Sequence, residues 1–280
     1  MSTHAFRIVN VFARSGRLTG NPLCVFEDGS GFDDERMQAL ARQFNLSETT
    51  FILPSSKATA RVRIFTPAYE MPFAGHPTLG TAHVVRALRG AGDAVTLEMK
   101  AGVIPVEARG NRWTLTARPA TTRAAGESRA GVANALGLDE ADLASDPLWL
   151  NAGTEQMMVP VRSAAAVDRA RPDPARFLGL AGKEPIKAYV FFDAGDSAGR
   201  VQARFFFPAG GAILEDPATG SACANLGGWF VQARPGVDLQ REVSQGEKVA
   251  RPSTLSLSVR SGAVFVGGEV VELGRGTIDL

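Results

Sequence analysis

The sequence predicts an α+β protein made by internal duplication, each half setting many short strands around one enclosed helix. Two observations carry this. First, RIFTPAYEMPFAGHPTLGTA (Arg63 to Ala82) resembles RFFFPAGGAILEDPATGSA (Arg204 to Ala222). Arg63, Phe65 and Pro67 match Arg204, Phe206 and Pro208 at an offset of 141, and Pro77, Gly80 and Ala82 match Pro217, Gly220 and Ala222 at 140. One deleted residue restores the register, so each half is expected to carry a strand, a Pro, an irregular loop and a helix that opens with Pro and has Gly three residues later. Second, the two helices carry almost no charge: Leu79 to Val85 has none when His83 is neutral, and Pro217 to Ala233 has none at all. A helix apolar on every face is an enclosed helix.

The 280 residues exceed the usual size of one domain. The polar, Arg- and Ala-rich stretch RPATTRAAGESRAG from Arg118 is the expected linker, which divides the chain into halves 1–118 and 119–280. A C-terminal strand near 268–280 is placed to return to the first half.

In order along the first half, FRIVNVFA and LCVFED alternate as strands around a Gly-containing turn. Asp33 and Asp34 stand where a helix start favours acids, and Met37, Leu40, Ala41 and Phe44 follow at helical spacing. TTFILP is a strand, so Ser47 and Glu48 fall at a helix-to-strand junction. ATARVRIFTP is a strand ended by Pro67, and AYEMPFAGHP is an irregular connection into a helix from about Thr78 to Leu88. VTLEM, GVIPVEA and WTLTA are three short β-rich runs.

In the second half, ANALGLDEADLA has a helical pattern, and MMVPV, KAYVFFDA and QARFFFP read as strands. DPATGSACANLGGWFVQA is a helix start and helix. LSLSVRSG, AVFVGG and EVVELGRGTIDL close the chain as strands.

Charge excludes some partners. With 30 Lys plus Arg against 29 Asp plus Glu, scattered rather than clustered, nothing points to nucleic acid or an anionic membrane. The N-terminal residues have no apolar signal core, and no segment approaches the roughly eighteen apolar residues of a membrane span, so a soluble, cytoplasmic protein is expected. Two cysteines, Cys24 and Cys223, are too few for a disulfide framework or a thiolate metal cage, and read as small buried hydrophobes.

A helix start presents unpaired N–H groups and the positive end of the macrodipole, and glycine lets a ligand approach the backbone. The two matched helix starts are therefore expected to hold a small carboxylate. Neither GxGxxG opening a βαβ unit nor GxxxxGK[ST] is present, which disfavours a nucleotide. His76, between Gly75 and Pro77, reads either as a structural residue or as an imidazole reaching that ligand. Asp216, at the corresponding place in the second half, reads either as a helix N-cap or as a partner for a substrate amine or hydroxyl. The position of Glu48 alone suggests a solvated loop glutamate.

The residues resemble the phenazine-biosynthesis isomerase (PhzF-like) family, on the diaminopimelate-epimerase fold. The matching motifs are GNPLCVF from Gly20, LARQFNLSETTFIL from Leu40, RIFTPAYEMPFAGHPTLGTA, EDPATGSA from Glu215, QGEKVARPSTLSLSV from Gln245 and the terminal GRGTIDL, nearly the whole chain in family order. Met71 departs from the family's ELPFAGHP pattern. The resemblance implies two similar domains, each a barrel-like sheet around a central helix, with the active site in the cleft between them. It puts the catalytic glutamate of the family's SET motif on Glu48, replacing the surface reading, and the motif histidine on His76. It puts the family's second-loop aspartate, glycine and serine on Asp216, Gly220 and Ser221, and the GHP glycine and GNP asparagine on Gly75 and Asn21.

Racemases and epimerases of this fold use one cysteine at each helix start. Here neither Cys24 nor Cys223 is at those turns, so a single carboxylate base is the better reading. The implied chemistry, with no metal or organic cofactor, moves a proton between ring carbons of trans-2,3-dihydro-3-hydroxyanthranilate to give an enol that becomes a ketone. Glu48 would be base and then acid, with its pKa raised by an apolar site. Gly220 and Ser221 would hold the carboxylate, and His76 and Asp216 would orient the substrate or relay protons. An isomerase or epimerase acting on another small amino or hydroxy acid, and a non-catalytic carboxylate binder, remain alternatives. The resemblance also implies a homodimer.

Overall fold

The computed structural model describes residues 2–180 and 185–280. The chain divides into two compact units, residues 1–116 with 267–280, and residues 117–266.

In the first unit the strands are β1 (Thr3–Val11), β2 (Asn21–Phe26), β3 (Glu48–Leu53), β4 (Ala60–Phe65), β5 (Glu70–Met71), β6 (Ala94–Met99), β7 (Gly102–Arg109) and β8 (Arg112–Thr116), with helices α1 (Asp34–Phe44) and α2 (Gly75–Arg89). The second unit holds β9 (Thr121–Ala124), α3 (Arg129–Ala135), β10 (Leu148–Asn151), β11 (Glu155–Pro160), α4 (Ala164–Arg169), α5 (Pro174–Leu178), β12 (Ala188–Asp193), β13 (Arg200–Ala209), β14 (Ala212–Asp216), α6 (Gly220–Ala233), β15 (Leu239–Gln245) and β16 (Ser253–Arg260). A last strand, β17 (Ala263–Asp279), supplies its first residues to the second unit and the rest to the first.

In the first unit the pairing runs β17, β1, β2, β3, β4, β6, β7, β8 and back to β17, an eight-stranded closed barrel. Closure removes free sheet edges and leaves an interior that side chains must fill. The filling is α2, whose residues His76 to Ala82, Val84 and Val85 are all buried. Gly80 shows how tightly it fits: a β-carbon there would lie 2.7 Å from Leu23 Cδ2 and 2.9 Å from Val11 Cγ2. Outside the barrel, α1 is capped by Asp33, which accepts from the Arg36 N–H, and ends on Asn45 in the left-handed region. It packs on an aromatic cluster in which Phe26 and Phe51 stack at 4.9 Å.

The second unit repeats the pattern. β1 to β4 pair antiparallel, parallel, antiparallel, and so do β10 to β13. β4 pairs parallel with β6, which turns back on β7; β13 pairs parallel with β15, which turns back on β16. A two-residue turn through Ser261 and Gly262, both at positive φ, carries β16 into β17, the geometry favoured in tight hairpins. The enclosed helix here is α6, packed by Gly227 against Val264 and Leu257. The α+β duplication, a barrel-like sheet around one helix in each half, is therefore the fold.

Strand pairing also keeps an ionic element of the repeat. Arg63 grips Glu70 with two hydrogen bonds of 2.8 and 2.7 Å, and Arg204 grips Glu215 with 3.1 and 2.6 Å. Each guanidinium also lies over a phenylalanine of its own strand, Phe65 at 5.0 Å and Phe206 at 4.7 Å.

Several local expectations are corrected. Phe65 pairs with Glu70, five residues on, and Phe206 with Glu215, nine on; Pro77 then follows Glu70 by seven residues, and Pro217 follows Glu215 by two. The single-residue deletion is thus the net of a longer hairpin and a shorter link. The helices do not open alike either. α2 starts at Gly75 rather than near Thr78, because Pro77 as its third residue needs no N–H in the first turn. α6 starts only at Gly220, with Pro217 left outside it. The linker stretch contains β9, paired with β10, and the helix placed over ANALGLDEADLA ends at Ala135. Among the described residues no helix is long and apolar enough to cross a membrane.

Candidate active site

Four of the expected residues gather at one end of α2. The parallel pairing of β2 with β3 sets Leu23 beside Glu48, so Glu48 opens β3 next to Asn21 and Pro22, the first two residues of β2. Asn21 is fully buried, and its Oδ1 accepts from Ser47 Oγ at 3.0 Å. The N-cap of α2 is Ala74, whose methyl side chain can accept nothing, and the first turn holds no acid. The N–H groups about Gly75 and His76 thus have no capping side chain from their own helix start.

His76 is 6% exposed, and burial depresses its pKa to about 3, with a hydrogen bond to the Pro22 backbone offsetting part of the shift. Its imidazole is therefore neutral and carries one N–H. The Pro22 carbonyl accepts that proton, and Nε2 makes no hydrogen bond among the described residues, so the proton is on Nδ1. The bare Nε2 lies 3.3 Å from Glu48 Oε2, a carboxyl only 14% exposed. The surface reading of the Glu48 position is therefore wrong: the parallel strand pairing draws it inside.

The other three residues gather at the start of α6. Its N-cap is Thr219, not Asp216. The Thr219 hydroxyl instead donates to Asp216 Oδ2 at 2.5 Å, while Gln245, fully buried, accepts from the Thr219 N–H at 3.3 Å and donates to the Asp216 carbonyl at 2.8 Å and to Thr219 Oγ1 at 3.0 Å. Gly220 and Ser221 are the first two residues of the helix, again with no acid in the first turn. Ser221 Oγ accepts from Gln156 Nε2 at 2.9 Å. The Tyr189 hydroxyl is buried, has no hydrogen-bond partner among the described residues, and is held protonated by burial and then by the fields of Cys223 and Asp216.

Both thiols are fully buried, and burial pushes each far above the ordinary cysteine value, so neither is a thiolate at neutral pH. Cys24 lies within β2 and Cys223 is the fourth residue of α6.

Sequence reasoning passed over Gln156, Asn225 and Gln245 as site residues. A signal existed for the first two: each stands among apolar residues inside its element, and a buried amide there must satisfy something.

The family model described as "Phenazine biosynthesis-like protein" matches residues 9–276. An uncharacterized isomerase of Pasteurella multocida is 35% identical, over 99% of this chain and 95% of its own. A trans-2,3-dihydro-3-hydroxyanthranilate isomerase of Pseudomonas chlororaphis is also 35% identical, over 99% of this chain and 100% of its own. Among solved structures, a phenazine biosynthesis protein of the PhzF family from Bacillus anthracis superposes with a TM-score of 0.88 at 24% identity, covering 100% of both chains, which speaks to fold alone.

Proposed function

The chain belongs to the phenazine biosynthesis-like (PhzC-PhzF) family, the two relatives described above are named isomerases, and from that premise we propose that it isomerises trans-2,3-dihydro-3-hydroxyanthranilate without a cofactor. The reading rests on one observation above all, the Glu48 carboxyl facing the bare nitrogen of a neutral His76 at 3.3 Å.

In this reading the Glu48 carboxylate takes a proton from a ring carbon, and the electron pair moves into the ring. The proton comes to rest where His76 Nε2 can accept a hydrogen bond from it. Glu48, now the acid, returns a proton to another ring carbon, and the enol so formed becomes the ketone; no atom is gained or lost. Positioned acid-base chemistry of this type contributes roughly 10²- to 10⁴-fold. The N–H groups of Gly220 and Ser221, with the Ser221 hydroxyl, hold the substrate carboxylate. Asp216 orients the amino or hydroxyl group, and Gly75 and Asn21 shape the wall around Glu48. We place the enzyme in the cytoplasm as a homodimer.

Incubation in D₂O with the dihydro-hydroxyanthranilate and a panel of small amino and hydroxy acids tests the substrate. Turnover of the first, with no exchange into the rest, is expected. Exchange confined to another acid would replace the substrate, and tight binding with no exchange anywhere would make the protein a carboxylate binder.

A further inference from the structure

The hydrogen bonds around Ser221 have a direction that backbone groups alone determine. Asn225, fully buried in α6, accepts at Oδ1 from the Ala152 N–H at 2.8 Å. Its Nδ2 carries two protons and faces three acceptors, the carbonyls of Leu150 at 3.1 Å and Thr154 at 3.0 Å, which share one proton, and the Gln156 side chain, which takes the other. A backbone N–H can only donate and a carbonyl can only accept, so the Asn225 amide cannot be turned over. The same Nδ2 lies 2.8 Å from the Gln156 side chain, which must therefore present its oxygen there. Gln156, 1% exposed, is then obliged to point Nε2 at Ser221 Oγ, 2.9 Å away.

Ser221 Oγ thus always receives a proton from Gln156 and directs its own elsewhere. We infer that Gln156, locked by Asn225, is a positioning residue that fills one of the two Ser221 Oγ lone pairs and turns the Ser221 proton toward the substrate, and so favours a carboxylate over a carboxamide. Together with the N–H groups of Gly220 and Ser221, the start of α6 then offers three donors and a single remaining hydroxyl lone pair. A carboxylate, with acceptors only, satisfies the three donors, whereas an amide NH₂ would face a donor. The inference rests on the proposed contact between Ser221 and the substrate carboxylate. The first unit lacks the device: strand pairing puts Leu23 where Gln156 stands, since Cys24 pairs with Thr49 as Met157 pairs with Ala188.

Anthranilate and anthranilamide, as competitive inhibitors of the full-length enzyme, supply the test. Gln156→Glu keeps the acceptor for Asn225 but takes the Ser221 proton, leaving lone pairs toward the ligand. It is expected to weaken anthranilate by about 10- to 100-fold, the loss of one hydrogen bond to a charged group, to erase most of the preference over anthranilamide, and to raise substrate KM more than it lowers kcat. In a Ser221→Ala background the same change should cost only the few-fold that its added charge imposes. Gln156→Met, which removes the donor without adding charge, should weaken anthranilate several-fold when Ser221 is present and not at all when it is Ala; this cycle decides the matter if Gln156→Glu fails to fold by its thermal unfolding midpoint. Equal shifts in both backgrounds, or no shift with Ser221 present, would overturn the inference while the Ser221 contact stood. An unchanged anthranilate affinity in Ser221→Ala alone would instead remove that contact, and the inference with it.

Discussion

A neutral histidine sealed into a barrel makes stability depend on pH with a definite sign. His76 titrates at about 3 in the folded chain, below the ordinary value of 6.5, because burial disfavours the imidazolium. Between those values the unfolded chain takes a proton that the folded chain does not. Stability therefore falls as pH drops through this window, and His76 contributes nothing above it. Going from about pH 7.5 to about pH 5 crosses roughly 1.5 units of the window, and at about 1.4 kcal/mol per unit the loss is about 2 kcal/mol. His76→Gln cannot titrate, and it leaves His83, also depressed by burial, to act alike in both proteins. Urea denaturation at the two pH values should show the parent losing about 2 kcal/mol more than the variant. Equal losses would mean that His76 is not buried as a neutral ring, and the argument for its bare nitrogen would fail.

Other perturbations have expected outcomes. Gly80→Ala puts a methyl within 2.7 Å of Leu23 and 2.9 Å of Val11, both fully buried, and should cost about 1–3 kcal/mol in chemical denaturation; a neutral result would contradict the tight fit of α2. Arg204→Met strands a Glu215 carboxylate that is 8% exposed and should cost about 3–5 kcal/mol, most of it recovered by adding Glu215→Leu. If the double variant is no better than the single, the loss is of packing and not of an unpaired charge. Alkylating reagents should leave the native enzyme fully active, since both thiols are buried and protonated; rapid inactivation, with a labelled Cys24 or Cys223, would refute the carboxylate-only account.

How much of this was readable beforehand differs by feature, for physical reasons. The duplication was legible because a charge-free helix must be enclosed, and two of them behind matched strands imply two enclosures. Its details were not. Whether Pro77 lies inside a helix and Pro217 outside one depends on the link from the preceding hairpin, seven residues in one half and two in the other. β9, β5 and β14 were passed over because short strands without a fully buried face carry little alternation; β9 is exposed at all four residues. Glu48 was the hardest. Its neighbours along the chain suggest a surface junction, and only family resemblance singled it out, because the parallel pairing with β2 that buries it is a long-range contact. Asp216 looked like a cap by type and place, yet the shorter link leaves that position to Thr219.

The central claim is that one carboxyl moves the proton. Glu48→Gln keeps the shape of the side chain and removes the base. The account predicts that turnover of the dihydro-hydroxyanthranilate falls by at least about 10²-fold, with anthranilate binding and thermal unfolding nearly unchanged. A Glu48→Gln enzyme that turned over at close to the parent rate would contradict it.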